Sequence, residues 1–314
     1  MAELYNVVII GGGPGGYAAA LYCVRAGFST LVLERLAPGG QMATTNWIEN
    51  YPGFEDGIDG FALAEKMRAG AEHFGAETRI SQVTSVELSA APKVIHTESG
   101  DVLADCVILA TGANPRTLGL PSETRLKGRG VSYCATCDGM FYRGKTVVVA
   151  GGGNSAAEDA LTLAKLCQKV YIVHRRDRLR ATQNYFAPLK QAENIEILYN
   201  RRIIEILGQD RVSGVQLEDT QSGAQRTLSC DGVFIAVGRV PNTELVQNQL
   251  TLDSAGYLPA GEDTCTAIPG VFAVGDLRTK PLRQVITAAA DGAVASKGVE
   301  EYLSRRVSAE GGSR

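Results

Sequence analysis

The chain has 314 residues, 45% apolar and 21% charged, with a formal net charge of −3. That balance suits two globular domains of ordinary size and excludes a disordered chain; the small charge provides no general field for nucleic acid or an anionic membrane, so any phosphate recognition must be local. Seven cysteines, five of them isolated (Cys23, Cys106, Cys167, Cys230, Cys265), are too sparse for a secreted disulfide framework, and the isolated ones read as small buried apolar residues.

The N-terminus, MAELYNVVIIGGG, has no basic leader, so a cytoplasmic location is expected, and no segment reaches the roughly 18 apolar residues of a membrane span. From Val7, VVIIGGGPGGYAAALYCVRAG reads as a four-residue apolar strand, a Gly-rich turn and an amphipathic helix, with Gly11, Gly13 and Gly16 in the pattern G-x-G-x-x-G. The first glycine permits a tight turn, the second lets a pyrophosphate approach bare backbone at the helix N-terminus, and the third lets helix and strand pack closely. A second apolar strand, STLVLE, ends at Glu34, twenty-three positions after Gly11, where a carboxylate suits two ribose hydroxyls. DCVILATGANP, from Asp105, closes this first unit.

Next, GVSYCATCDGMF sets Cys134 and Cys137 three residues apart and follows them with Asp138. That spacing serves metal binding and thiol redox chemistry equally well, but a four-cysteine zinc site needs a second close pair, which the sequence lacks; no metal is expected. From Val147, VVVAGGGNSAAEDALTLAKLC repeats the first pattern with Gly151, Gly153 and Ala156, and it too continues into a second strand, KVYIVH, and a closing segment, DGVFIAVGRVP. Twenty-three positions after Gly151 stands His174 in place of an acid, followed by Arg175, Arg176, Arg178 and Arg180. Guanidinium groups there would pair with a 2′-phosphate that a carboxylate would repel, so this unit reads as an NADP(H) site.

The last informative stretch, TAIPGVFAVGDLRTKPLRQVITAAADGAVAS, is a strand ending at Gly275 and Asp276 and then a long small-residue helix beginning near Gln284. Asp276 can accept hydrogen bonds from a polyol while the helix start faces another part of the ligand, which suits the ribityl chain of FAD in the first unit. The expected fold is α/β: two Rossmann-like, three-layer nucleotide-binding domains, with an NADPH domain (117–243, carrying CATC) inserted into a discontinuous FAD domain (1–116 and 244–314). The Gly- and Pro-bearing crossings GANPRTLGLP and GRVPNTEL read as linkers about which the inserted domain would turn.

Through GGGPGGYAAA, GGQM, ENYPGF, ATGA, CATCDG, GGGNSA, HRRDRLRA and GVFAVGD...RQV...AADG, over essentially the whole chain, the sequence resembles the low-molecular-weight, bacterial-type thioredoxin reductases, FAD- and NADPH-dependent pyridine nucleotide-disulfide oxidoreductases. The resemblance implies a homodimer that passes electrons from NADPH through FAD to a Cys134–Cys137 disulfide and then to the disulfide of thioredoxin. It implies that Cys137 faces the flavin, Cys134 exchanges with thioredoxin, and Asp138 handles the proton. By the same carry-over FAD would be held by Gly11, Gly13, Pro14, Gly16, Glu34, Gly40, Gln41, Asn50, Val83, Thr111, Gly112, Asp276, Arg283, Gln284 and Val285. NADPH would be held by Gly151, Gly153, Asn154, Ser155, His174, Arg175, Arg176, Arg180 and Gly238. Met140 and Leu179 stand where the family often has Phe; the first bears on the surface that thioredoxin meets and the second on packing.

Overall fold

A computed structural model describes residues 2–45 and 47–311, with side chains as far as residue 306. The chain divides into two compact units, Met1–Asn114 with Val240–Arg314, and Pro115–Arg239. In the first unit a seven-stranded sheet runs in the order Glu77–Ile80, Thr30–Glu34, Glu3–Ile10, Gly100–Leu109, Lys93–Thr97, Val83–Glu87, and Val271–Ala273 also pairs with Gly100–Leu109. Pairing is parallel from Glu77–Ile80 across to Gly100–Leu109 and on to Val271–Ala273, and antiparallel through the last two strands of that order.

Period-two alternation fills both faces of this sheet. Val8, Ile10, Leu31, Leu33, Val107 and Leu109 point into one core, while Val7, Ile9, Val32, Cys106 and Ile108 point into the other. Each such side chain contributes roughly 1.5–3 kcal/mol when fully buried, so the strands are held from both sides. The first strand begins at Glu3, four residues before the apolar run, because Glu3–Tyr5 pair with Val102–Ala104 while their own side chains stay wholly or partly exposed. Pro14 opens the first helix, Pro14–Arg25, at a position that needs no N–H partner. The C-terminal helix, Val285–Gly311, crosses that helix backbone to backbone, since a methyl group on Gly292 would overlap the Gly15 carbonyl oxygen.

The second unit carries an all-parallel five-stranded sheet in the order Ile195–Leu198, Lys169–Val173, Thr146–Gly151, Gly232–Ala236, Val131–Ser132. Its alternation is equally strict: Val147, Val149, Ile172 and Phe234 face one core, and Val148, Ala150, Val173, Val233 and Ile235 the other. An antiparallel meander, Arg201–Leu207, Gly214–Asp219 and Gln225–Ser229, packs within the second of these cores.

Four of the isolated cysteines are buried, and burial pushes the Cys23, Cys106 and Cys230 thiols up to about 12 and Cys167 to about 11. Cys265 departs from the expectation and is exposed, because it follows a turn in which its own N–H donates to Asp263 Oδ1 at 3.2 Å. Among the described residues no helix is long and apolar enough to cross a membrane.

Candidate functional site

The first Gly-rich turn joins the strand ending at Ile10 to the helix starting at Pro14. Gly11 has φ +110°, closed to L side chains, and a methyl on Gly16 would overlap the Gly11 carbonyl oxygen, so both spacings are enforced sterically. A methyl on Gly13, by contrast, would touch nothing within 4 Å: the turn is open there, as close approach by a phosphate requires. Glu34, at the end of the neighbouring strand, accepts from the Gly12 N–H at 2.7 Å and from the Arg35 N–H at 2.8 Å. The Gly39 N–H donates to the Gly12 carbonyl at 2.7 Å, which brings Gly40 beside Gly13.

Other residues of the same unit are joined in pairs. Gln41 Nε2 donates to Asn114 Oδ1 at 2.9 Å, and Asn50 Nδ2 donates to Gln284 Oε1 at 3.1 Å across 234 residues of sequence. Asn242 fastens the Thr111–Gly112 corner: its Nδ2 donates to the Thr111 carbonyl at 2.8 Å, its N–H to the Gly112 carbonyl at 3.0 Å, and its own carbonyl accepts from Thr111 Oγ1 at 2.7 Å. Arg283 lies over the Tyr257 ring, 4.1 Å from its centroid. Val83 is placed differently: it starts the outermost antiparallel strand and packs against one of the two sheet cores.

Gly275 and Asp276 form a one-turn 3-10 helix whose geometry is set from behind. Asp291, buried on the C-terminal helix, accepts from the Gly275 N–H at 2.8 Å, from Arg278 at 2.9 and 2.7 Å, and from Lys280 at 2.7 Å. Burial would raise the Asp291 carboxyl, but these donors hold it below the usual carboxylate range. Nothing in GDLRTKPLRQ announces this buried cluster, since periodicity does not reveal which charges pair inside.

The inserted unit's turn runs from Gly151 to the helix Asn154–Ala164. The His174 ring fills the space a side chain on Gly152 would need, and His174 is buried. Burial lowers its pKa and the charges of Arg180 and Arg176 lower it further, so the ring is neutral near pH 7. Arg175, Arg176, Arg178 and Arg180 are exposed, and the Arg180 N–H donates to the Gly152 carbonyl at 2.6 Å, which ties the basic segment to the turn. Asn154 Oδ1 accepts from the Thr182 N–H at 2.8 Å, Ser155 is exposed beside it, and Gly238 has φ +109° with its carbonyl accepting from the Arg116 N–H at 3.0 Å.

Cys134 and Cys137 are joined in a disulfide with Cα atoms 5.3 Å apart, and Cys134 caps the four-residue helix Ala135–Asp138. Its Sγ accepts from the Cys137 N–H at 3.1 Å. Burial raises the Asp138 carboxyl, and a hydrogen bond from Ser132 at 2.6 Å opposes the rise. Behind the turn, Asp159 on Asn154–Ala164 accepts from the Ala135 N–H; burial pushes its carboxyl up to about 6. Ser132 and Asp159 belong to no spacing rule, so no motif in the sequence marks them. Met140 and Phe141, just after the turn, are exposed. Among the described residues no group of His, Cys, Asp and Glu could hold a metal ion.

The family model for pyridine nucleotide-disulphide oxidoreductases matches residues 5–292. A thioredoxin reductase of Streptomyces clavuligerus is 45% identical over 313 residues, covering 99% of this chain and 97% of its own. A bifunctional thioredoxin reductase/thioredoxin of Mycobacterium leprae is 43% identical over 302 residues, 96% of this chain and 66% of that one. The crystal structure of thioredoxin reductase from Streptococcus pyogenes superposes with a TM-score of 0.91 at 42% identity, covering 97% of this chain and 100% of the other.

Proposed function

This chain belongs to the pyridine nucleotide-disulphide oxidoreductase family, and within it we propose that the protein is a thioredoxin-disulfide reductase, taking electrons from NADPH and delivering them to thioredoxin through the Cys134–Cys137 disulfide. The observation that carries this reading is that disulfide, followed at once by a carboxyl that burial keeps ready to hold a proton. Relatives that bear the name thioredoxin reductase over nearly their whole length support it, as does one relative that names both activities.

The residues present fit both cofactors. FAD would lie with its pyrophosphate over the open face at Gly13, its ribose at Glu34, and its polyol at Asp276, whose turn Asp291 fixes. NADPH would lie over Gly153 with its 2′-phosphate among Arg175, Arg176 and Arg180, whose guanidinium groups offer charge-assisted hydrogen bonds. Bound flavin supplies a relay that accepts two electrons at once, the number a disulfide needs. His174, neutral and tucked under Gly152, supports the turn without adding charge.

Once reduced, Cys134 attacks one sulfur of the thioredoxin disulfide; a mixed disulfide forms and a thioredoxin thiolate leaves, taking a proton. Cys137 then attacks Cys134, restoring the Cys134–Cys137 bond and releasing the second thioredoxin thiolate. Asp138 supplies and recovers the protons. Met140 and Phe141, exposed beside the turn, offer apolar surface to the incoming protein. We read the working form as a cytoplasmic homodimer, which sedimentation at twice the mass of one chain would support.

The test is direct. NADPH with thioredoxin should yield thioredoxin thiols in step with NADPH consumption, NADH should serve poorly, and Cys134→Ser and Cys137→Ser should each abolish thiol production. NADPH consumption that leaves thioredoxin oxidised would end this reading.

A further inference from the structure

The dithiol turn holds one buried hydroxyl to which the reaction above gives no task. Ser132 ends the short strand Val131–Ser132 and is 4% exposed. Its Oγ accepts from the Cys134 N–H at 3.1 Å and donates to Asp138 Oδ2 at 2.6 Å, with the Cys134 carbonyl oxygen at 3.4 Å as a second acceptor. A hydroxyl has one proton and two lone pairs. While Asp138 is ionised, the serine proton points at the carboxylate. When Asp138 is protonated, the acid becomes the donor to Oγ and the serine proton can turn to the Cys134 carbonyl. Both states of the acid therefore find a partner in the same oxygen.

We propose that Ser132 is the positioning residue of the dithiol turn, tying the Asp138 carboxyl to the Cys134 backbone while the acid gives up and regains its proton. The inference rests on the reading of Cys134 and Cys137 as the redox dithiol. Its chemistry is a proton balance only: a leaving thiolate takes the proton of Asp138, and the Ser132 hydroxyl swings from the Cys134 carbonyl to the new carboxylate; the return of a proton reverses both moves.

An apolar strand and a neutral phenol flank this pair. The strand Gly232–Ala236, which flanks Val131–Ser132, brings only Gly, Val, Phe, Ile and Ala. Tyr142, in the 3-10 turn after Asp138, has its phenol pushed up to about 12, first by burial and then by the Asp138 charge, so it stays neutral. The helix Asn154–Ala164 brings Asp159, engaged with the Ala135 N–H. Tyr133, between Ser132 and Cys134, donates its phenol to Glu123 at 2.6 Å, Tyr142 also senses Arg211, Cys230 and Asp231, and Cys134 and Cys137 are joined in a disulfide; against burial it is the Ser132 bond that favours the ionised form of Asp138.

The experiment follows the carboxyl itself. In oxidised holoenzyme carrying 13C-labelled aspartate side chains, the Asp138 resonance, assigned by its loss in Asp138→Asn, is titrated from about pH 4 to 9. Ser132→Ala should raise the midpoint by about one unit, the equivalent of losing a hydrogen bond to a charged acceptor, and Ser132→Thr, which keeps the hydroxyl, should leave it in place. The pH profile of single-turnover exchange between the reduced enzyme and glutathione disulfide should move the same way in Ser132→Ala. An unmoved midpoint in Ser132→Ala, or an equal move in Ser132→Thr, overturns the assignment. Should the alanine variant fail to fold, Ser132→Cys, of similar size but a weak donor, is judged by the same criterion. The titration uses neither NADPH nor thioredoxin: a protein that shows the shift but leaves thioredoxin oxidised would sink the proposed function and keep this inference.

Discussion

The two Gly-rich turns, at Gly11 and at Gly151, lie 140 residues apart and share their first three glycines in register, and among the matched pairs that differ are Gly16 with Ala156, Ala19 with Asp159, and Glu34 with His174. In the first unit the amide of Gly12 donates to the Glu34 carboxylate; in the second, Gly152 rests on a neutral imidazole bordered by arginines. Ala19 is fully buried in a helix that the C-terminal helix seals, whereas Asp159 faces the turn that bears the disulfide. One motif thus does two jobs. The shared glycines set the shape of the turn, and what packs on the far side of the helix decides whether a second helix or the disulfide-bearing turn lies against it.

The comparison can be broken hardest at its third glycine position. Gly16→Ala should cost about 3 kcal/mol in urea unfolding, because the new methyl must displace backbone, while Ala156→Gly should cost only about 1 kcal/mol through chain entropy. Equal losses would mean the two turns are packed alike. Next in size is the ribose position of the second unit: changing Arg175 and Arg176 together to Ala should raise KM for NADPH about a hundredfold and leave NADH use nearly unchanged. A parallel loss with both nucleotides would assign the arginines elsewhere.

Asp159 sharpens the contrast through pH. Its carboxyl sits at about 6 in the folded chain against an ordinary 3.8, so between those values the folded state binds the extra proton. Stability contributed by that proton is present at low pH, falls as pH rises through the window, and is level above it, a loss on the order of 3 kcal/mol. Asp159→Asn should remove this slope from the midpoint of thermal unfolding measured against pH; an unchanged slope would place the titration on another group. The smallest effect is expected at Glu34, where Glu34→Gln keeps the shape but gives up the charge facing Gly12, weakening FAD binding about tenfold in apoprotein reconstitution followed by flavin fluorescence if the proposed ribose contact holds. Unaltered affinity would show that the carboxylate merely closes the strand.

Much of this arrangement was legible in residue order. Strand, Gly-rich turn and helix are local events: alternation over a few residues marks a sheet buried on both faces, and a glycine at a left-handed φ such as Gly11 closes a turn between neighbouring elements. The repeat, the exchange of an acid for a histidine and a basic run twenty-three positions after the first glycine, and the paired cysteines followed by an acid all lie within short windows, so the family and its chemistry could be read without coordinates. What residue order left open is which polar groups meet. Asn50 with Gln284, Asn242 with Thr111, and Asp291 with Gly275, Arg278 and Lys280 are joined only after helices have settled on the sheet, and a hydrogen bond between such partners imposes no period on the sequence that makes it. Even Ser132 and Asp138, six residues apart, needed the tertiary structure, because the chain turns from strand to helix between them and only the folded turn aims one hydroxyl at both the carboxylate and the Cys134 backbone.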